Sequence, residues 1–342
     1  MPLPMWATDI ELKQEQTDFF SHGASQTINF TAAVPSNFRM PAEFEPISAV
    51  IMAWSGYAEE IIHQTAKEVS AAGAEVWIID GPETLEGVPQ ELYLNLEFKR
   101  DSMWARDYGP IGVSGGGLSI IDTRYRHYLY REFDDAIPCQ VANHTGALCH
   151  TTSLILDGGN VMTDGNGTLF MTSMTYDWNS EHNKSEVDEA LQTMFGVDTI
   201  HVLDYAKTSS GHPADGTGHI DMFAKILAQC IVVVAETSDD PFREIVEAAA
   251  TYFAELDCLP GQKYKVSRIP GWVASGNWHT YTNSLIVNDR VVVPGYERGM
   301  DDLAKEIYEQ SANYTVAIVN SDKAIRLGGA IHCLTSHVPA IE

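Results

Sequence analysis

The chain has 342 residues, 44% hydrophobic and 20% charged, with 26 glycines and 15 prolines; this composition supports a full folded core and excludes disorder, collagen and coiled coil. Acidic side chains outnumber basic ones 47 to 21, a net charge of −26 with neutral histidine. Such a field serves solubility, repels nucleic acid and anionic membrane surfaces, and favours cationic partners.

No run reaches the roughly 18 to 20 apolar residues of a membrane span, and Met1 to Phe20 is polar and acidic where an export signal would be apolar. The expectation is a soluble protein, cytoplasmic by default, or secreted if a leader has been trimmed. Five cysteines, at 139, 149, 230, 258 and 333, contain no CxxC pair and leave at least one thiol free. Cys139 and Cys149 are spaced to close a loop in an oxidising compartment, or else are two reduced thiols. Cys230, inside AQCIVVV, reads as a small buried hydrophobe.

In chain order, residues 1–38 are weakly periodic and rich in Ser, Thr, Asn and Gln, and read as an N-terminal extension or cap before one domain spanning 39–342. SAVIMAW, a helix near Glu59 to Ala72, and VWIID form a partial strand, helix, strand unit. A hairpin is expected around Ile111 to Ile121. Asn160 to Met171 predicts a second hairpin turning through Asp164-Gly165-Asn166-Gly167, followed by an amphipathic Glu186 to Phe195 and the strand TIHVLD. HIDMFAKIL, CIVVVAE, the helical Pro241 to Leu256 and YKVSRI repeat the order over 219–269. SLIV and RVVV flank the turn pair Asn288 and Asp289; Leu303, Ile307 and Tyr308 then fall at helical spacing before the strand YTVAIV. A last strand is expected at Ile331 to Leu334. Units recurring every roughly 50 to 65 residues, each too small to bury its own sheet, point to one α/β domain of about five blades sharing an axis; a three-layer sandwich would also fit the alternation.

Polar residues cluster at the start of successive units: Trp104-Ala105-Arg106-Asp107-Tyr108, Asp157-Gly158-Gly159-Asn160, Gly218-His219-Ile220-Asp221, Asn283, and Gly328 to Cys333. In a closed array these positions meet at one end of the axis. A thiol can act as nucleophile, a histidine moves protons near neutral pH, and paired carboxylates suit a planar cation such as guanidinium. Taken singly, each residue has an ordinary reading as ion pair, turn former or core residue. His219 and Asp221, two apart on a strand, would share a face, an arrangement also seen in metal sites.

The ordered set RDYGP, GGN with MTDG after it, GHID with FAK, YTNSLIVND and GGAIHCLT, with PAEFEP at 41–46, resembles the bacterial peptidylarginine deiminase and agmatine deiminase family of guanidino-group modifying enzymes. The resemblance covers roughly residues 40–342 and implies the family's five-bladed αβ propeller, the pentein-like fold. It implies Cys333 as nucleophile, His219 as general acid and base, Asp107 and Asp221 as guanidinium clamps, Asn283 as a polar active-site residue and Trp104 as an aromatic wall. Asn160 is carried over with the substrate-binding positions. No cofactor or catalytic metal is implied. Asp157 stands where agmatine deiminases carry Glu, and VMTDGNGT looks more like the peptidylarginine branch.

The expected reaction is therefore deimination of peptidyl or C-terminal arginine to citrulline with ammonia release, through a covalent thiouronium; agmatine deimination is the alternative, and amidino transfer is more distant. A cysteine hydrolase of the protease kind lacks an oxyanion signature here, and two Asp beside the thiol disfavour developing negative charge. A noncatalytic binder of cations is the remaining class. The stretch 122–131 concentrates arginines among tyrosines, and alternation places Arg124, Arg126 and Tyr128 on one face. Arg124 and Arg126 are expected to grip a substrate carboxylate, unless they pair with the chain's own acids.

Overall fold

The computed structural model describes residues 2–11, 13, 28–30, 38–125, 130–296 and 299–341. Arg126 and Tyr128 lie outside them. Strands β1 (Ile47–Ala53), β2 (Glu75–Ile79) and β3 (Tyr93–Leu96) run parallel, with the helix Glu59–Ala71 crossing between the first two. β4 (Ile111–Ser114) and β5 (Leu118–Arg124) form the expected hairpin, and β6 (Leu148–Ile155) returns parallel to β5 after the helix Ile137–Thr145. β7 (Met162–Thr163), β8 (Thr168–Thr172), the helix Lys184–Phe195 and β9 (Thr199–Leu203) repeat that order.

It recurs in β10 (Ala224–Ala228), β11 (Ile231–Glu236), the helix Phe242–Glu255 and β14 (Lys265–Ala274), with β12 (Asp257–Leu259) and β13 (Gln262–Lys263) forming a small ribbon before β14. β15 (Asn277–Thr280) extends this sheet. β16 (Leu285–Val287), β17 (Arg290–Gly295), the helix Asp301–Ser311 and β18 (Thr315–Asn320) follow, and β19 (Thr335–Pro339) closes antiparallel onto β1. The described residues thus form a mixed α/β fold of small sheets in which an antiparallel pair, a helix and a parallel strand recur.

The local chemistry explains the elements. Strands covered on both faces read as continuous apolar runs, and Val232 to Ala235 and Val291 to Val293 are fully buried. The helix Phe242–Glu255 buries Phe242, Val246, Ala249, Ala250 and Phe253, one stripe at helical spacing. Asn183 and Glu186 form a reciprocal capping box at the start of Lys184–Phe195, and Gly196 in the left-handed region ends that helix.

Four local expectations change. Ile331 to Leu334 is a turn rather than a strand, and the strand begins at Thr335. His219 and Asp221 do not share a strand face, because Ile220–Met222 is a single 3₁₀ turn ahead of β10. Leu303 is 46% exposed, since its helix turns Ala304, Tyr308 and Ser311 inward. Cys230 is buried but bonded to Cys258: it occupies the tight turn between β10 and β11 with φ of 62°, facing β12. Cys139 and Cys149 also form a disulfide, and Cys333 is a free buried thiol.

Candidate active site

The polar clusters of successive units converge. A single helical turn, Ala105–Tyr108, presents Asp107; the 3₁₀ turn Gly158–Asn160 follows Asp157; His219 precedes and Asp221 lies within the 3₁₀ turn ahead of β10; Asn283 precedes β16; and Cys333 lies in the turn before β19. Asp107, Asp157, His219, Asp221, Asn283 and Cys333 are all at most 4% exposed.

Asn283 organises the nucleophile. Its Nδ2 donates to the Cys333 Sγ at 3.0 Å and to Asp221 Oδ2 at 3.0 Å, while its Oδ1 accepts from the backbone N–H of Ala330 and Cys333. Burial pushes the Cys333 thiol well above the ordinary range, and the Asp221 and Asp107 carboxylates push it the same way, against the hydrogen bonds from Asn283 and Ala330. Together these surroundings favour the neutral thiol over the thiolate. For Asp221, burial favours the neutral acid, but the hydrogen bond and charge of His332 outweigh it and hold the carboxyl below its usual range.

His219 stands between two carboxylates, with Nε2 at 3.2 Å from Asp157 Oδ2 and Nδ1 at 3.6 Å from Asp107 Oδ1. Asp215 accepts from the Thr217 and Gly218 N–H groups and fixes the approach to His219. Gly159 leaves the space these groups share: a Cβ there would lie 2.6 Å from His219 Nδ1, 2.9 Å from Asp107 Oδ1 and 3.3 Å from Asp221 Oδ2. A small planar cation fits the chemistry of such a concavity. Asp107, Asp157 and His219 also bring ligand atoms within 4.8 Å of one another, a spacing that could hold a metal ion.

The N-terminal residues cover this site. Met5 is fully buried and donates its N–H to the Leu327 carbonyl, and the Trp104 indole N–H donates to the Leu3 carbonyl. Gly329 permits the contact, since a Cβ there would meet Met5 Sδ, Cys333 Cβ and the Trp104 ring at 2.4, 2.7 and 2.8 Å. Fully buried Arg131 fastens the segment: it donates to Glu11 at 2.8 and 3.3 Å and to the Pro4 carbonyl at 3.0 Å. The Glu11 carboxyl, disfavoured by burial, is held below its usual range by Arg131 and Thr8.

Two sequence-derived assignments change. Asn160 is not aimed at a ligand: its side chain donates to Thr175 Oγ1 and the Thr172 carbonyl and accepts from the Thr172 and Ile220 N–H groups, tying two units together. Arg124 is exposed at the end of β5, where its charge favours ionised Asp135. Asp157 is named within its cluster but given no role from the sequence, while Met5 and the segment that carries it are not anticipated there. The position of Asp157 in DGGN was a signal, whereas nothing local marked Met5.

The model of the Porphyromonas-type peptidyl-arginine deiminase family matches residues 39–339. A protein of Pectobacterium atrosepticum named "Putative agmatine deiminase" is 25% identical over 360 residues, covering 89% of this chain and 95% of the relative. One of the same name from Streptomyces coelicolor is 27% identical over 345 residues, covering 88% and 99%. The solved agmatine deiminase of Enterococcus faecalis superposes with a TM-score of 0.79 at 23% identity, covering 90% of this chain and 98% of that one, a likeness of fold. With its family segment spanning nearly the whole described body and the thiol, histidine and carboxylates gathered in one buried cluster, the chain belongs to the Porphyromonas-type peptidyl-arginine deiminase family and is a hydrolase of guanidino C–N bonds.

Proposed function

We propose that the protein deiminates a small free guanidino amine of the agmatine type, giving the carbamoyl amine and ammonia. This replaces the peptidyl or C-terminal arginine expected from the sequence. The observation that carries it is the closed site: the thiol is fully buried, and Leu3 and Met5 lie on Trp104 and beside Cys333, which we read as leaving room for a small amine and not for a peptide main chain. The names of the relatives favour the same substrate. Arg124, exposed and beside Asp135, gives no carboxylate reader in its favour.

In this reading the guanidinium enters between Asp107 and Asp221, whose bidentate acceptors match its planar donors. Its charge offsets the carboxylates that hold the Cys333 proton, so the thiol ionises when substrate arrives and its proton passes to His219. The thiolate attacks the guanidinium carbon, His219 protonates the departing nitrogen, and ammonia leaves behind a thiouronium on Cys333. His219 then takes a proton from water, whose oxygen attacks the same carbon; the C–S bond breaks as the oxygen gives up its second proton to the released ammonia, leaving the ureido product, thiolate and ammonium. Residues 39–342 act as one catalytic unit, and we read the recurring sheets as a closed five-bladed propeller. Two disulfides suit an oxidising compartment.

The test is ammonia release and product mass with agmatine, free arginine and peptides bearing internal or C-terminal arginine, for wild type and Cys333→Ala. Turnover of agmatine above the others, lost in Cys333→Ala, is expected. Preference for a peptide, or turnover without the thiol, refutes the proposal.

A further inference from the structure

Asp221 also borders a second polar cluster, in a cavity lined by Glu43, Arg106, Asp221, Lys225, His332 and His337. His332 directly precedes the nucleophile and bridges two carboxylates: its Nδ1 is 2.6 Å from Asp221 Oδ2 and its Nε2 is 2.8 Å from Glu43 Oε2. Glu43 is itself held, accepting on Oε1 from Lys225 Nζ at 2.8 Å and from the Ile286 N–H at 2.8 Å. Asp221 Oδ2 thus takes both His332 and Asn283, whereas Asp221 Oδ1 has no hydrogen-bond partner among the described residues. A neutral imidazole donates from one nitrogen only, and a lone pair turned toward a buried carboxylate is repelled; a ring facing carboxylate oxygens on both sides is satisfied as the imidazolium.

We propose that Glu43 and His332 form a positioning pair that locks Asp221 through Oδ2, leaves Oδ1 for the substrate guanidinium, and supplies the positive charge that keeps Asp221 ionised. Glu43, from the PAEFEP segment, is one imidazole removed from Asp221 and acts on it through His332, while also pairing with Lys225 at 2.8 Å and Arg106 at 3.9 Å. Among the described residues, the other charged or titratable groups near His332 are Arg106, Lys225, His337 and Cys333. Arg106 Nε lies 3.5 Å from the His332 carbonyl, and Arg106 Nη1 is 3.2 Å from His337 Nδ1. Burial, then Arg106, pushes His337 down to about 3, so that ring is neutral and accepts. Burial lowers Lys225, and Glu43 opposes the shift.

The inference rests on reading the pocket as a guanidinium site, so the test has one arm that needs no turnover. Ring-nitrogen NMR of protein carrying labelled histidine should show, at pH 7, an imidazole protonated on both nitrogens that disappears in His332→Gln. In Glu43→Gln the same ring should lose its second proton at lower pH than in wild type. In the second arm, the acid limb of kcat/KM for the guanidino substrate should move up by about one unit in His332→Gln, a tenfold loss at the acid end, with a smaller displacement in Glu43→Gln and recovery in Glu43→Asp. A singly protonated His332 at pH 7 in wild type overturns the pair. So do acid limbs that coincide with wild type while activity falls evenly at every pH, which is the mark of a merely structural role. Wild-type protein that fails to turn over any guanidine would sink the deiminase reading alone, since the NMR arm still decides the pair.

Discussion

Replacing Arg131 with Met keeps the length of a buried side chain and removes the charge that fastens the N-terminal segment. The guanidinium makes two charge-assisted contacts with Glu11 and one with the Pro4 carbonyl. Each charge-assisted bond contributes about 1.5 to 3 kcal/mol net, and desolvation of the pair cancels part of the sum. Taking about 3 kcal/mol from docking of the segment shifts its open population by about a hundredfold. Cys333 is fully buried, so an alkylating reagent reaches it only through that open population. The measurement is the rate of Cys333 carboxamidomethylation by intact mass, at fixed pH and on folded protein checked by circular dichroism. Arg131→Met should react about a hundredfold faster and show a raised KM for agmatine. An unchanged rate with an unchanged fold would mean that residues 3–11 do not cover the thiol, and the closed-site argument for a small substrate would fall with them.

Gly159→Ala should lose at least a hundredfold in kcat/KM with little change in Tm, because the new methyl takes the space shared by His219, Asp107 and Asp221; activity near wild type would show that the guanidinium binds elsewhere. Burial, with Asp135 adding to it, pushes the Asp122 carboxyl up to about 7. The folded state then binds more protons than the unfolded one between about pH 4 and 7, so stability falls as pH rises through that window and stays reduced above it. Asp122→Asn should accordingly raise Tm at pH 8 and leave it nearly unchanged at pH 4, and equal shifts at both pH values would refute that sign. Finally, activity should survive exhaustive chelation, because the thiol and His219 supply nucleophile and proton transfer. Loss on chelation with return on adding one metal, the fold intact, would assign Asp107, Asp157 and His219 to an ion instead.

The repeating order of hairpin, helix and parallel strand was legible in the chain because each level agrees locally: buried valine runs, the stripe from Phe242 to Phe253, and turn pairs such as Asn288 and Asp289 reflect neighbours in sequence. Cys333, His219, Asp107 and Asp221 were legible as candidates from ordered motifs, and the structure places them in one pocket. Contacts between distant segments were not readable. Asn160 looks polar and available, yet its hydrogen-bond partners are decided by how two units pack. Leu303 satisfies a helical pattern whose inward face was set by what the helix packs against. Cys230 meets Cys258 only because a whole helix folds the chain back between them. Glu43 reaches His332 across 289 positions, and Arg131 reaches Glu11 across 120. No periodicity encodes such pairs, because side-chain partners that far apart depend on where the backbone returns in space, which is a property of the assembled fold.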